Sequence, residues 1–310
     1  MSDTTVPLLA ATEARIAVDG VTAVDRLTLA TTGDHVLLAG DTRALFAAIT
    51  GVPLADPTKP EDEEGELPGE AYVAAGTLTL VGRSVGDRAH LAVMGAAPLD
   101  PPLPPRWTVE EYVTWGARLA GASRWTARDL AKAALSRVGL APARRKRLDT
   151  LVRAERRVLL LAQAVVMGPE VLVAEAPLSG MEGAAAAFVM QALLAAGEGR
   201  RVLLSAARVD AGSAEGALAR GASHLVVLAG GEVAVEGPPG ELFAAARVVS
   251  LTVRGNTEAL RAELSARGID LRGGPVRFSA SLPAGATTRE VLAAAAAARA
   301  PVVEMVPVLG

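Results

Sequence analysis

The chain has no cysteine and only three lysines, Lys59, Lys132 and Lys146, among 31 basic residues. The first absence excludes disulfides and thiolate metal sites and fits a reducing compartment. The second leaves three places for any chemistry that needs a lysine. Aromatic residues make up 3% of the chain, too few for the ring-and-base stacking of single-strand nucleic-acid binders. No apolar run reaches the roughly 18–20 residues that span a bilayer. The longest, 158–167, has the length of a core helix. The amino terminus has no basic segment leading into a long apolar one, so no signal peptide is read. A net charge of −3 gives no global attraction to polyanions, and nucleic acid is not an expected partner. His35, His90 and His224 lack metal-ligand spacing, and Ser205 stands in no nucleophile pattern.

What is present suits a folded chain of one or two domains, with 310 residues and 51% hydrophobic content. The wealth of alanine and arginine is that of a GC-rich bacterial genome. Short β-type runs at 15–18, 27–31 and 35–39 surround Gly33-Asp34, a hairpin signal. Residues 42–50 read as a helix ended by Gly51. Residues 54–69 form a proline-flanked acidic linker containing Glu61-Asp62-Glu63-Glu64. Strands at 76–81 and 91–94 precede a proline-rich loop at 98–105. Helices follow at 108–120, 126–138 and 154–166, the first with Thr108 as N-cap and Glu110 and Glu111 in its first turn. Apolar strands at 171–174 and 202–205 enclose a helix at 183–196, a βαβ unit. A hairpin at 224–228 and 232–236 turns on Gly230-Gly231, and 242–246 is a short helix. Beyond 247, runs at 248–254, 257–267, 269–271, 276–282, 288–299 and 302–307 alternate as βαββαβ.

Residues 168–182, GPEVLVAEAPLSGME, carry the most information. An apolar strand runs into an acid, a proline, a small-residue turn and a second acid. With its surroundings this resembles the ATP-binding subunits of ABC transporters, in particular those serving ABC-2 type permeases. The resemblance covers about residues 14–246. It implies an α/β fold: a P-loop NTPase-like ABC nucleotide-binding domain at 1–246, with a helical subdomain at about 106–166. A small α+β ferredoxin-like domain would follow at 247–310.

The motif positions follow one at a time. The aromatic residue that stacks on adenine in the family falls on Val18, which has no π-face. The P-loop wraps phosphates with backbone N–H groups and one lysine at a helix N-terminus. Here HVLLAG runs straight into DTRALFAAITG. The glycine loop shortens to Gly40-Asp41, the lysine position falls on Thr42, and Arg43 follows. Asp41 would set a carboxylate where phosphate belongs. The glutamine of the permease-coupling loop falls on Leu99, within APLDPPLPPRWTVEEYV. The signature glycines fall on Val152 and Arg153, whose Cβ atoms block the close approach glycine permits. The magnesium-binding aspartate becomes Glu175 and the catalytic glutamate Ala176, while Pro177 and Ser179-Gly180-Met181-Glu182 match the family. The switch histidine falls on Ala207.

The resemblance therefore implies a non-catalytic, ATPase-like subunit with no cofactor. Its partners would be an ABC-2 type permease and a second ATPase-like subunit, identical or different. It would sit on the cytoplasmic face of the membrane through that permease. Two alternatives are an atypical active subunit that uses ATP and Mg2+ through Arg43 and Glu175, and a scaffold with no link to transport. Arg144-Arg145-Lys146-Arg147, with Arg153, Arg156 and Arg157, reads as a solvated helix flank or, alternatively, a phosphate, nucleic-acid or lipid-headgroup contact. Trp107, Trp115 and Trp125 read either as core or as a permease anchor.

Overall fold

The computed structural model describes residues 6–54, 69–210, 212–245, 247–274, 276–283 and 285–309. The acidic linker, its end residues apart, lies outside the described residues. The chain divides into two compact units, residues 1–87 with 207–310, and residues 88–206.

The first unit opens with β1 (Leu9–Val18), β2 (Val21–Ala30), β3 (His35–Gly40), α1 (Arg43–Thr50), β4 (Ala71–Leu80) and β5 (Arg83–Ser84). Four of these strands make an antiparallel sheet in the order β2-β1-β4-β5. β1 begins well before residue 15, because its alanine-rich start has little β propensity to announce it. The hairpin turn is Asp19-Gly20, with φ of 50° and 81°, the pair of positive values a two-residue I′ turn requires. Gly33-Asp34 makes no hairpin, since β2 and β3 belong to different sheets. Gly33 is needed for another reason: a Cβ there would collide with Ser223 Oγ. α1 buries Leu45, Phe46 and Ile49 and ends at Gly51, whose φ of 68° lets its N–H return to Ala47 O at 2.8 Å.

The second unit starts with a 3₁₀ turn at Ala89–Ala92 and β6 (Met94–Ala97). The strand expected at 91–94 therefore begins only at its last residue. α2 (Val109–Leu119), α3 (Arg124–Arg137) and α4 (Arg153–Val165) follow, then β7 (Val171–Ala174), α5 (Gly183–Gly197) and β8 (Arg201–Ala206). β6, β7 and β8 are parallel neighbours. Every residue of β7 is buried, as a four-residue apolar strand between layers should be. α2 opens on a capping box: Thr108 Oγ1 accepts the Glu111 amide at 3.2 Å, and Glu111 accepts the Thr108 amide at 2.8 Å. α3 starts two residues before its predicted place because Ser123 is its cap.

The first unit resumes with α6 (Ala214–Arg220), which the sequence patterning does not announce, then β9 (His224–Ala229), β10 (Glu232–Gly237) and α7 (Pro239–Ala245). β9 runs parallel to β3 and antiparallel to β10. The remaining elements are β11 (Arg247–Val253), α8 (Thr257–Ser265), β12 (Asp270–Gly273), β13 (Arg277–Leu282), α9 (Thr288–Ala297) and β14 (Val302–Leu309). Their antiparallel sheet has the order β12-β13-β11-β14. Its core joins Val249, Leu251 and Phe278 to Leu260 and Leu264 of α8 and Val291 of α9. No helix among the described residues is long and apolar enough to cross a membrane.

Candidate functional site

In the first unit the phosphate-loop counterpart is the turn from β3 into α1. Gly40, at φ 90°, allows the chain to pass against β9, where a Cβ would strike the Leu228 carbonyl. The Asp41 amide donates to Leu228 O at 3.0 Å, and Thr42 N–H donates to Gly40 O at 2.8 Å. The Asp41 carboxylate then accepts the amide of Gly230, in the β9–β10 turn, at 3.2 Å. Thr42 is buried and caps nothing with its hydroxyl. Arg43 is the first residue of α1, and no acid stands in that first turn. The Asp41 and Thr42 amides go to protein carbonyls, and the Asp41 carboxylate accepts a backbone amide.

Val18 lies at the end of β1, opposite Val21 across the Asp19-Gly20 turn and opposite Ala71 of β4. Val21 and Tyr72 are exposed there. Ala207 follows β8 in the chain and is exposed.

In the second unit the metal-strand counterpart lies past the end of β7. The Glu175 amide donates to Ala97 O at 2.9 Å, and Glu175 Oε2 accepts the Leu99 amide at 3.0 Å. Glu175 and Leu99 are thus in contact, and the link runs through the Leu99 backbone. Ala176 sits at φ 39°, and its N–H donates to the buried Ser205 Oγ at 3.0 Å. A methyl side chain at Ala176 offers no base to a water molecule. Beside it Arg157 of α4, only 4% exposed, faces Asp100. Nη2 donates to Oδ2 at 3.0 Å, and Nη1 lies 3.0 Å from Oδ1. Burial holds the Arg157 pKa below its ordinary value; Asp100 and, more weakly, Glu175 oppose that shift. The sequence reading set Arg157 in a solvated basic cluster; the structure instead buries it against Asp100, 57 residues away and not singled out from sequence.

The signature counterpart opens α4. Val152, at the N-cap, has no side-chain oxygen, so Glu155 alone closes the turn by accepting the Val152 amide at 3.3 Å. The Arg153 guanidinium lies over Gly180, where a Cβ would come within 2.8 Å of Nη1. The φ of 68° at Gly180 favours glycine there, while the flexible end of Arg153 could move aside from a Cβ. Three members of the basic run have acidic neighbours: Lys146–Glu155 at 2.7 Å, Arg147–Asp149 at 2.9 Å and Arg144–Glu110 at 3.9 Å. That pairing favours the solvated-flank reading. Trp107 and Trp115 meet edge-on with centroids 5.5 Å apart, while Trp125 is 74% exposed with the Arg124 guanidinium above it. Among the described residues no group of three or more His, Asp or Glu is placed to hold a metal ion.

These elements define an α/β nucleotide-binding-cassette fold, and solved structures bear this out. MJ1267, an ATP-binding cassette of an ABC transporter, superposes with a TM-score of 0.58 at 17% identity, covering 76% of this chain and 92% of that one. CbiO1 from Clostridium perfringens, part of the ABC transporter complex cbiONQ, gives 0.59 at 18% identity, covering 84% and 95%. Among curated proteins, the human phospholipid-transporting ATPase ABCA7 is 30% identical over 230 residues, 70% of this chain. The chain spans about a tenth of that relative's length, 10%. No protein-family model matches.

Proposed function

We propose that the chain is a non-catalytic ABC-type subunit, a structural or regulatory partner of an ABC-2 type permease. In this reading residues 247–310 are its ferredoxin-like module. The observation that carries it is the turn after β3. The carboxylate of Asp41 occupies a backbone amide beside the α1 N-terminus, and no lysine stands in that turn. A triphosphate brought there meets a like charge at Asp41, with the Asp41 and Thr42 amides already bonded to protein carbonyls. The residues past β7 add to this. Glu175 is held by the Leu99 amide, and Ala176 replaces the acid that would polarise water. The groups present do not fit a magnesium nucleotide.

The same reading extends to assembly. In an ABC dimer each site joins one subunit's P-loop to the other's signature. Here Thr42 replaces the lysine, and Val152-Arg153 replace the signature glycines. Pairing with an active subunit would disable both composite sites. The functional complex is therefore an ATPase-inactive pair, or one with competent ATPase subunits elsewhere. The position on the cytoplasmic membrane face follows from the permease partner, and exposed Trp115, Leu119 and Trp125 offer it a surface.

The test is co-expression of this chain with a permease and one active ATPase subunit, followed by ATPase assay of the purified complex. Turnover at the level of ordinary ABC transporters would refute the reading; absence of turnover with an assembled complex supports it.

A further inference from the structure

α2 and α3 each bury one stripe, Val109, Val113 and Ala117 on the first and Ala127, Ala131 and Leu135 on the second. Both stripes stop short of the turn that joins the helices, and no residue from 118 to 126 is buried. The turn is nevertheless well formed. The Ala120 amide donates to Gly116 O at 3.1 Å and the Ala122 amide to Ala117 O at 3.0 Å. Gly121 turns the chain at φ 96°, and Ser123 Oγ accepts the Thr126 amide at 3.2 Å. A folded tip therefore holds Arg118, Leu119, Arg124 and Trp125 in solvent, with Leu119 67% and Trp125 74% exposed.

The charge of this tip goes against the helix it starts. A helix N-terminus favours acid. α2 follows that rule with Glu110 and Glu111, whereas α3 has no acid in its first turn and opens on Arg124. The positive end of α3 and the Arg124 guanidinium thus add to one another, and that guanidinium lies 5.8 Å from the Trp125 ring centroid. Acids within ion-pair distance offset Arg128, Lys132 and Arg144. Among the described residues no acid does so for Arg118 or Arg124. The imbalance is regional. Residues 106–147 hold ten basic and three acidic residues, a balance of +7 in a chain of net charge −3, and 112–128 hold no acid.

Exposed tryptophan and leucine between unpaired arginines suit a bilayer interface. The ring and the aliphatic side chain sit at the headgroup boundary, and the guanidiniums meet anionic headgroups. We propose that the α2–α3 tip is a peripheral membrane contact: Arg118 and Arg124 recognise anionic lipid headgroups, and Leu119 and Trp125 enter the apolar boundary. The membrane position inferred above came through a permease. This contact is the chain's own and goes beyond that reading. Four side chains give a weak, reversible hold, which adds to a second attachment rather than anchoring the chain alone.

The test titrates the full chain at low salt with vesicles of phosphatidylcholine alone, and of phosphatidylcholine with phosphatidylserine, following cosedimentation and tryptophan emission. Binding is expected to the serine-containing vesicles only, with a blue-shifted emission that Trp125→Phe removes, and it should weaken as salt is added. Arg118→Glu/Arg124→Glu should weaken it by at least roughly tenfold, at about fivefold per arginine. Arg254→Glu/Arg289→Glu, the same charge change at exposed residues beyond 247, should leave it nearly unchanged. Arg124→Glu supplies the acid that the start of α3 lacks, so an unlowered melting temperature separates lost binding from lost fold. Equal binding to both kinds of vesicle, or equal loss in the two charge-reversed variants, overturns the proposal. Binding to neither overturns it too and assigns the tip to protein contacts. No nucleotide and no permease is present, so failure here and failure of the proposed function are separate results.

Discussion

The Asp41 carboxylate accepts the Gly230 amide at 3.2 Å, joining the turn that enters α1 to the turn between β9 and β10. The contact is partly solvated, so its net worth is modest. Asp41→Ala is expected to lower stability by about 0.5–1 kcal/mol in denaturant unfolding. It should also raise the exchange rate of the Gly230 amide, which loses its acceptor. An unchanged rate at Gly230 would mean that the hydrogen bond does not persist in solution.

Gly40→Ala tests the close passage of β3 and β9. The added methyl meets the Leu228 carbonyl, and φ of 90° strains any L side chain. A loss of about 2–4 kcal/mol is expected. A loss below 0.5 kcal/mol would contradict the packing described.

Arg157 and Asp100 form a half-buried pair in which the arginine is the buried member. Removing its partner strands a charge. Asp100→Ala should cost about 1–3 kcal/mol, less than a fully buried pair because Asp100 is half exposed. Arg157→Met/Asp100→Ala should recover part of that loss, giving a coupling term in a double-mutant cycle. Additive losses would show the two side chains to be independent.

His224 predicts a pH dependence. Thr32 N–H donates to its Nδ1 at 3.4 Å, which requires a lone pair there, and Thr32 Oγ1 is 2.9 Å away. Burial lowers the His224 pKa from 6.5, and Glu236, 3.9 Å from Nε2, only partly opposes this. Between the folded and unfolded pKa values the unfolded chain binds more protons, so stability rises with pH in that window. Acidification below 6.5 should therefore destabilise the chain until the folded pKa is passed. His224→Gln should flatten that loss, measured by denaturant midpoints between about pH 7 and pH 5. An identical pH profile in the variant would contradict the assignment.

Much of the fold was legible because local chemistry agreed with it. Gly51 ends α1 because only a left-handed residue closes that turn, and Thr108 with Glu111 starts α2. The alternation beyond 247 did produce β11, α8, β12, β13, α9 and β14. Gly33 misled because glycine serves two purposes. It reads as a hairpin signal, and here it makes room for Ser223, a residue 190 positions away in the chain and invisible to a local pattern. The candidate site was read from sequence as a set of substitutions at Thr42, Leu99 and Ala176. The replacements' own contacts were not. Asp41 with Gly230 and Arg157 with Asp100 each join residues far apart in sequence, and only the fold brings them together.

The account rests on the claim that the turn after β3 does not receive nucleotide phosphates. Calorimetric titration of the purified chain with ATP in the presence and absence of Mg2+ tests it most directly. The account predicts no saturable heat at millimolar ATP and no difference on adding magnesium. Tight, magnesium-dependent binding that Arg43→Ala or Glu175→Gln abolishes would contradict it.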